Sequence, residues 1–113
     1  MPMLVNEYEV DVMRTMNPCL TMEGLLMEGL LGLNSEAGEA GDIFKKYKYQ
    51  GHNLDKAHLA LELGDAAWYL TEAAHAVGYS LEEILQMNME KRRNRYPNGF
   101  EAYRSLYRKV GDV

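Results

Sequence analysis

Two pairs of acidic residues lie at equal distances from one turn, and this arrangement constrains the fold more than any other feature. Glu36 and Glu39 are three residues apart, as are Glu62 and Asp65. Glu36 and Asp65 have their midpoint between residues 50 and 51, and Glu39 and Glu62 have the same midpoint. Residues equidistant from the turn of an antiparallel helix hairpin lie side by side, and residues spaced i, i+3 share a helix face. The sequence therefore predicts that the four carboxylates converge across a helix hairpin.

Four carboxylates in one place indicate a bound cation. Their negative charges repel one another unless a cation offsets them. A ligand set made only of oxygen atoms suits Mg²⁺ and also Mn²⁺. Each pair lies beside the apolar stripe of its helix rather than opposite it, where an unpaired charge is costly. The pattern predicts a Mg²⁺ or Mn²⁺ site formed by these acids.

The same residues leave one alternative open and exclude another. The chain has 17 acids, and Glu39 with Asp42 repeats the three-residue spacing, so the pairs also fit a solvated acidic surface. A di-iron bundle needs two Glu-x-x-His motifs, whereas the chain has one, from Glu72 to His75. His75 lies about 15 Å along the helix from Asp65. We therefore expect His75 to be a polar or capping residue rather than a ligand.

The composition indicates one small globular domain, residues 1–113, with 47% apolar and 26% charged residues. Association with further copies would stabilise so small a core. The formal net charge of −5 does not attract nucleic acid, and we expect no such partner. No segment reaches the roughly 18–20 apolar residues of a membrane span, so no membrane partner is expected either. The single cysteine excludes an intrachain disulfide and favours the reducing cytoplasm.

Helices dominate the predicted secondary structure. The only prolines are at positions 2, 18 and 97, and the long stretch without them favours helices over a strand-and-turn protein. Asp55 is expected to cap the third helix, and Ser80 with Glu83 forms a capping box at the start of the fourth. The predicted all-α chain has helices at Val5–Met16, about Thr21–Tyr49, Asp55 to Gly78, Ser80 to the turn at Tyr96, and Phe100–Lys109.

The second helix has two notable features. Its apolar residues recur every three or four positions, which predicts a buried stripe. It also holds four interior glycines, each of which costs about 1 kcal/mol relative to alanine. We expect either a kink near Gly32–Ser35 or the close approach of another helix or a ligand. The expected stripe is Leu26, Leu30, Leu33, Ala37, Ala40 and Phe44, and the glycines are Gly29, Gly32, Gly38 and Gly41.

A basic helix face follows the acidic pairs along the chain. Asn88, Lys91 and Arg95 are spaced three and four residues apart and share one face of the fourth helix. Amide, ammonium and guanidinium groups together suit the oxygens of a polyphosphate. The alternative is a solvated helix end whose cations complement the helix dipole, and this alternative applies also to the lysines at residues 45–48.

Three segments carry a family resemblance. At residues 35–42, 62–70 and 88–100 the chain reads SEAGEAGD, ELGDAAWYL and NMEKRRNRYPNGF. In this order they resemble the MazG-like nucleoside triphosphate pyrophosphohydrolases over roughly residues 24–100. The resemblance implies a four-helix-bundle-like all-α fold built around a helical hairpin, usually as a homodimer or homotetramer. It also implies an enzyme that uses Mg²⁺ to cleave a nucleoside triphosphate to the monophosphate and pyrophosphate, in housecleaning of the nucleotide pool.

The resemblance further implies roles for individual residues. The metal-binding and catalytic set would be Glu36, Glu39, Glu62 and Asp65, and the substrate-binding set Asn88, Lys91 and Arg95. One carboxylate, Glu36 or Glu39, would orient the attacking water. The candidate walls of a base-binding slot are Trp68, Tyr69, Tyr47 and Tyr49, although such aromatic residues also form core packing. The glycine-rich second helix departs from the family pattern.

A rival interpretation is a non-catalytic helical module, either a nucleotide sensor or an oligomerising partner of another protein. The helices, the eight methionines and the small-residue helix faces fit it equally well. The symmetric acids, the basic helix face and the matched ending at residues 95–100 favour the enzyme, and sequence alone leaves the two interpretations open.

Overall fold

The computed structural model describes residues 1–113 as five α-helices, which confirms the predicted all-α class. The helix ends lie close to the predicted ones, except that the last helix is only five residues long. The helices are α1 Val5–Thr15, α2 Met22–Tyr49, α3 Lys56–Ala76, α4 Leu81–Arg95 and α5 Ala102–Leu106. None of them combines the length and the apolar composition that a membrane span requires.

The chain divides into two compact units, residues 1–81 and 82–113. The first unit contains α1, α2 and α3, and the second contains most of α4 together with α5. Within the first unit, α2 packs along α3 and α1 packs on α3. The prediction of a single domain over residues 1–113 stays a prediction.

The α2–α3 hairpin has the register that the acidic pairs predict. Gly29 lies against Ala73, and Gly32 against Tyr69, so the two helices run antiparallel about the turn near residue 50. Gly51 permits this turn because its φ is +74°, a left-handed conformation that favours glycine. The carboxylate of Asp55 accepts a hydrogen bond of 3.0 Å from the His58 backbone N–H. The predicted N-cap of α3 is therefore confirmed.

The predicted kink in α2 is wrong, and the alternative explanation of its glycines holds for two of them. The helix is continuous from Met22 to Tyr49. A Cβ on Gly29 would lie 2.9 Å from the backbone nitrogen of Ala73, and a Cβ on Gly32 would overlap the ring of Tyr69. These two glycines let α3 approach closely, and the packing offsets their low helix propensity.

The predicted apolar stripe of α2 is only partly buried. Leu30 and Phe44 are 53% and 50% exposed, whereas Leu25 and Gly29 are buried. The physical reason is that α3 is the helix that packs along α2 within this unit, and one neighbour covers only part of a wide stripe. The helix leaves apolar surface uncovered, as does α3 at Leu63.

The middle of α3 is the best-buried part of the chain. Its buried run extends from Thr71 to Ala74, where α2 contributes Gly29 and α1 packs from the other side. From α1, Val12 is fully buried, and the hydroxyl of Thr15 accepts a hydrogen bond of 2.8 Å from the Trp68 indole N–H. These contacts hold α3 in place and fix the positions of the side chains at its N-terminal half.

Candidate functional site

Three of the four predicted carboxylates meet across the hairpin. Glu36 on α2 and Glu62 and Asp65 on α3 each offer an oxygen, and these oxygens lie within 4.8 Å of one another. Glu36 and Glu62 are half-buried, and Asp65 is exposed. The three-residue spacing on α3 puts Glu62 and Asp65 on one face, and the hairpin register brings Glu36 opposite them. We call these three residues the carboxylate cluster.

Glu39 lies next to the carboxylate cluster but outside it. Its carboxyl group interacts by side-chain hydrogen bonding with those of Glu36 and Glu62, yet it does not belong to the set whose oxygens all lie within 4.8 Å. Glu39 is also exposed, one helical turn nearer the hairpin turn than Glu36. The structure thus brings all four predicted acids into one region and separates them into three and one.

The electrostatics of the carboxylate cluster show a deficit of positive charge. The hydrogen bond with Glu62, desolvation and the nearby Glu39 raise the pKa of Glu36 to about 7. The hydrogen bonds from Glu36 and Glu39 lower the pKa of Glu62, and His58 lowers it too. Like charges in close contact have this effect, because one group holds a proton so that its neighbour can ionise.

One atom of the cluster lacks a partner. The Oε2 of Glu36 is buried and has no hydrogen-bond partner, which is costly for a polar atom removed from water. A divalent cation bound to these oxygens would satisfy the buried atom and replace the shared proton. The donor set therefore fits Mg²⁺ or Mn²⁺, which prefer oxygen ligands. The ligand role of the four acids stays a prediction.

His58 is a part of the site that the sequence analysis did not single out. Its Nε2 lies 3.1 Å from Oε1 of Glu62. The signal in the sequence was the four-residue spacing of the two, which places them on one face of α3. His58 therefore orients Glu62 from the side that faces the hairpin turn.

Asp42 resembles the acidic pairs in spacing but has different partners. Its two carboxylate oxygens bind Lys45 at 2.9 Å and Lys46 at 3.0 Å, and these hydrogen bonds lower its pKa. This surface ion-pair network fits the alternative interpretation, in which acids on α2 belong to a solvated acidic surface. Glu36, with its unsatisfied buried oxygen, is in a different environment.

Two cavities lie on either side of the carboxylate cluster and share Ser35. The first, of about 570 Å³, is walled by Leu20, Met27, Leu31 and Tyr69 and also contacts Glu28 and Glu36. We call it the apolar cavity. The second, of about 460 Å³, is lined by Glu39, Asp42, Lys46, His58 and Glu62, and we call it the charged cavity. The acids thus lie where an apolar surface changes to a charged one.

The four aromatic candidates for a base slot have different surroundings. Tyr69 lines the apolar cavity. The indole N–H of Trp68 is bonded to Thr15 on α1, and the ring of Tyr47 packs against Phe44 at 5.7 Å between centroids. Tyr49 is exposed at the end of α2. Of the four, Tyr69 has the position that a base-binding wall requires.

The predicted substrate contacts Asn88, Lys91 and Arg95 all belong to the second unit. Asn88 and Lys91 are exposed, and Lys91 lines a cavity of about 620 Å³ in that unit, together with Lys109 and Asp112. The guanidinium of Arg95 donates two hydrogen bonds to the Asp112 carboxylate, at 2.8 and 2.6 Å. This ion pair lowers the pKa of Asp112. The substrate-binding role of the three residues stays a prediction.

Comparison with families of known proteins supports the resemblance seen in the motifs. A family model described as the MazG nucleotide pyrophosphohydrolase domain matches residues 27–100. This range includes the four acids and the basic motif of α4. No curated protein and no solved structure matches the chain.

Proposed function

The chain belongs to the MazG nucleotide pyrophosphohydrolase family, and we propose that it is a Mg²⁺-dependent nucleoside triphosphate pyrophosphohydrolase. It cleaves a ribo- or deoxyribonucleoside triphosphate to the monophosphate and pyrophosphate, and so removes nucleotides from the pool. The observation that carries the proposal is the carboxylate cluster, in which three oxygens lie within 4.8 Å of one another and a buried oxygen of Glu36 lacks a partner.

The cation would be held by Glu36, Glu62 and Asp65, with Glu39 as the adjacent fourth acid. Mg²⁺ is the proposed ion, and Mn²⁺ has the same ligand preference. When bound, such an ion neutralises phosphate charge and lowers the pKa of a coordinated water. Sharing the ion would reduce the electrostatic repulsion among the four carboxylates, because its positive charge offsets their negative charges.

We assign the proton-accepting role to Glu39, because its carboxyl lies beside the carboxylate cluster without being one of the three. Water attacks the α-phosphorus, and the bond from that phosphorus to the bridging oxygen of the β-phosphate breaks. The proton of the water passes to Glu39, and pyrophosphate leaves. The charged cavity supplies Lys46 and His58, whose N–H groups suit the oxygens of the departing phosphates.

The basic residues of the second unit are proposed as further contacts to the polyphosphate. Asn88 and Lys91 are exposed, and their amide and ammonium groups can donate to phosphate oxygens. Arg95 can bind phosphate only after its guanidinium exchanges the Asp112 carboxylate for a phosphate oxygen, because Asp112 occupies two of its N–H groups.

A homodimer or homotetramer is proposed for the native state, in the cytoplasm where nucleotide substrates are found. The hairpin leaves large apolar side chains exposed on both helices, among them Leu30, Leu61 and Leu63. Exposed apolar patches of this kind are typical of surfaces that a protein partner covers. A further copy of the chain would bury them.

The direct test is pyrophosphate release from a panel of ribo- and deoxyribonucleoside triphosphates, with and without Mg²⁺. We expect release only with the metal, and we expect Glu62→Gln to reduce the rate at least 100-fold. Glu23→Gln, the same change at an exposed position of α2 away from the cluster, should retain the wild-type rate.

The same preparation distinguishes the rival interpretation of a non-catalytic module. A sensor would be stabilised by Mg²⁺ and nucleotide in a thermal melt but would release no pyrophosphate. A scaffold would show neither effect. Absence of release from every triphosphate at high protein concentration would overturn the proposed enzymatic function.

A further inference from the structure

A second pair of carboxylates continues the register of the hairpin beyond the carboxylate cluster. Glu28 on α2 and Glu72 on α3 interact across the two helices, about 10–12 Å along the helix axes from Glu36 and Asp65. The contact of Gly32 with Tyr69 lies between the two sites. Neither Glu28 nor Glu72 has a role in the proposed cleavage.

Glu72 is an unusual buried group. Its side chain is 0% exposed, and neither of its carboxyl oxygens accepts a hydrogen bond from any donor. No cation faces it: the interacting groups are Glu28 from α2 and Tyr69 on α3. A buried carboxylate in this position would be strongly destabilising, so the group requires a proton of its own.

The proton belongs to the buried member of the pair. Desolvation and the hydrogen bond with Glu28 raise the pKa of Glu72 to about 7. A protonated Glu72 can donate its O–H to Glu28, which is exposed. A carboxylate has about four lone-pair sites and no hydrogen to donate. A bond from Glu72 would occupy one lone pair of the Glu28 carboxylate and would leave the others free to accept further hydrogen bonds.

Glu28 is one of the residues that line the apolar cavity. The volume of about 570 Å³ lies within the range of small-molecule pockets. Tyr69 and the aliphatic walls suit a flat aromatic ring. At its other end the cavity reaches Glu36 of the carboxylate cluster, so a ligand lying in it has its phosphates beside the proposed metal site.

We propose that the apolar cavity binds the base of the nucleotide and that Glu28, held by Glu72, selects guanine. This assignment rests on the proposed function for the identity of the ligand as a nucleotide. Guanine is the common base that presents two adjacent donors, N1–H and the N2 amino group, to one carboxylate. Adenine and cytosine place a ring acceptor beside their amino group, and uracil places carbonyls beside its single N–H.

We expect Glu28 to discriminate among bases because a base other than guanine would leave a carboxylate oxygen without a hydrogen-bond donor. Opposite adenine or cytosine, one carboxylate oxygen would face a ring nitrogen lone pair instead of a hydrogen-bond donor. A site built to bond a substrate group rejects a ligand that leaves its polar atoms unpaired far more strongly than it rejects a change in size. Glu72 acts as a positioning residue, because its donated hydrogen bond fixes the orientation of the Glu28 carboxylate.

The test is equilibrium binding of GMP, AMP, CMP and UMP to the full chain by calorimetry, with Mg²⁺ present. We expect GMP to bind at least 10-fold more tightly than the other three. Glu28→Gln should abolish this preference, because an amide offers one donor and one acceptor and no longer matches two donors. Glu23→Gln, the same substitution on the same helix outside the cavity, should retain it.

Glu72 is tested by a conservative and a non-conservative variant. Glu72→Gln keeps a donor toward Glu28 and should retain the preference for GMP, whereas Glu72→Leu removes the donor and should reduce it several-fold. Equal binding of the four monophosphates, no binding of any, or a preference for GMP unchanged in Glu28→Gln would each overturn the assignment.

Measurements of both GMP binding and pyrophosphate release distinguish a failure of this inference from a failure of the proposed function. Selective GMP binding without pyrophosphate release from any triphosphate would support the guanine site and overturn the proposed hydrolase. Release from all triphosphates at similar rates, with no preference for GMP, would support the hydrolase and overturn the guanine site.

Discussion

The ring of Tyr69 lies directly against the backbone of α2 at Gly32, where a Cβ atom would overlap the ring. This contact joins the two helices of the hairpin between the carboxylate cluster and the Glu28–Glu72 pair. It also forms the aromatic wall of the apolar cavity.

We predict that Gly32→Ala destabilises the protein by about 1–3 kcal/mol, the usual cost of forcing an additional group into packed structure. The displaced Tyr69 ring should also weaken nucleotide binding. Urea unfolding measures the free energy, and calorimetry the affinity. Gly41→Ala is the matched control: nothing lies within 4 Å of its added Cβ, so alanine should stabilise the helix by about 0.5–1 kcal/mol. Equal stability of the two variants would contradict the close contact.

Mg²⁺ is expected to stabilise the wild-type chain and to lose this effect when the carboxylate cluster is changed. A ligand that binds only the folded state raises its stability in proportion to the logarithm of its concentration over Kd. Glu62→Gln removes one charged oxygen ligand and should abolish the Mg²⁺-dependent rise in Tm. Asp11→Asn, at an exposed acid of α1 that binds Arg14, should show the full rise. A Tm of Glu62→Gln that responds to Mg²⁺ like the wild type would contradict a metal site here.

Glu72 should make the stability of the protein decrease as the pH rises. Its pKa is raised to about 7 in the folded state and lies near 4.3 when unfolded, so the folded state binds more protons between these values. The stabilisation is complete below the unfolded pKa and is lost as the pH rises through the folded pKa.

The measurement is the difference in unfolding free energy between wild type and Glu72→Gln at pH 5 and pH 8. We expect the variant to gain about 1–3 kcal/mol relative to wild type at the higher pH, which is the cost of an unsatisfied buried polar group. The difference between the two proteins cancels contributions from other titrating groups. A difference that stays constant between the two pH values would exclude a raised pKa for Glu72.

The ion pair of Arg95 with Asp112 is expected to stabilise the second unit and to compete with phosphate. The two side chains are only 13% and 15% exposed, and two hydrogen bonds join them. Asp112→Asn should lower the free energy of unfolding, because it weakens two charge-assisted hydrogen bonds. It should also lower KM for a triphosphate, because Arg95 no longer has a carboxylate partner.

The control for this prediction is Glu101→Gln, which weakens the partly exposed pair of Glu101 with Arg104 at 3.4 Å. An exposed pair of this kind contributes little, so stability and KM should both stay near the wild-type values. If Asp112→Asn lowers the stability and leaves KM unchanged, Arg95 anchors the C-terminal residues and does not contact the substrate.

Local sequence patterns determined the helices and the hairpin register. The cap at Asp55 depends on interactions within a few residues, and the positions of the acidic pairs depend on the geometry of a single turn. Local sequence is sufficient to predict both features. The meeting of Glu36 with Glu62 and Asp65 followed from that register alone, since helix periodicity fixes which residues face the partner helix.

The tertiary structure decided which of these surfaces is covered. The periodicity of α2 indicates an apolar face, yet the exposure of Leu30 and Phe44 depends on how many helices pack against that face. The glycines fit a kink or a close approach equally well, and only the contacts of Gly29 with Ala73 and of Gly32 with Tyr69 distinguish the two.

The partners of individual charged groups were likewise decided by the fold. Glu28 and Glu72 are 44 residues apart in the sequence, and Arg95 and Asp112 are 17 apart, with no local rule to pair them. Their contacts depend on side-chain rotamers and on the depth to which packing buries each group. Burial sets the energy of a charge, and burial is a property of the assembled fold that no short stretch of sequence contains.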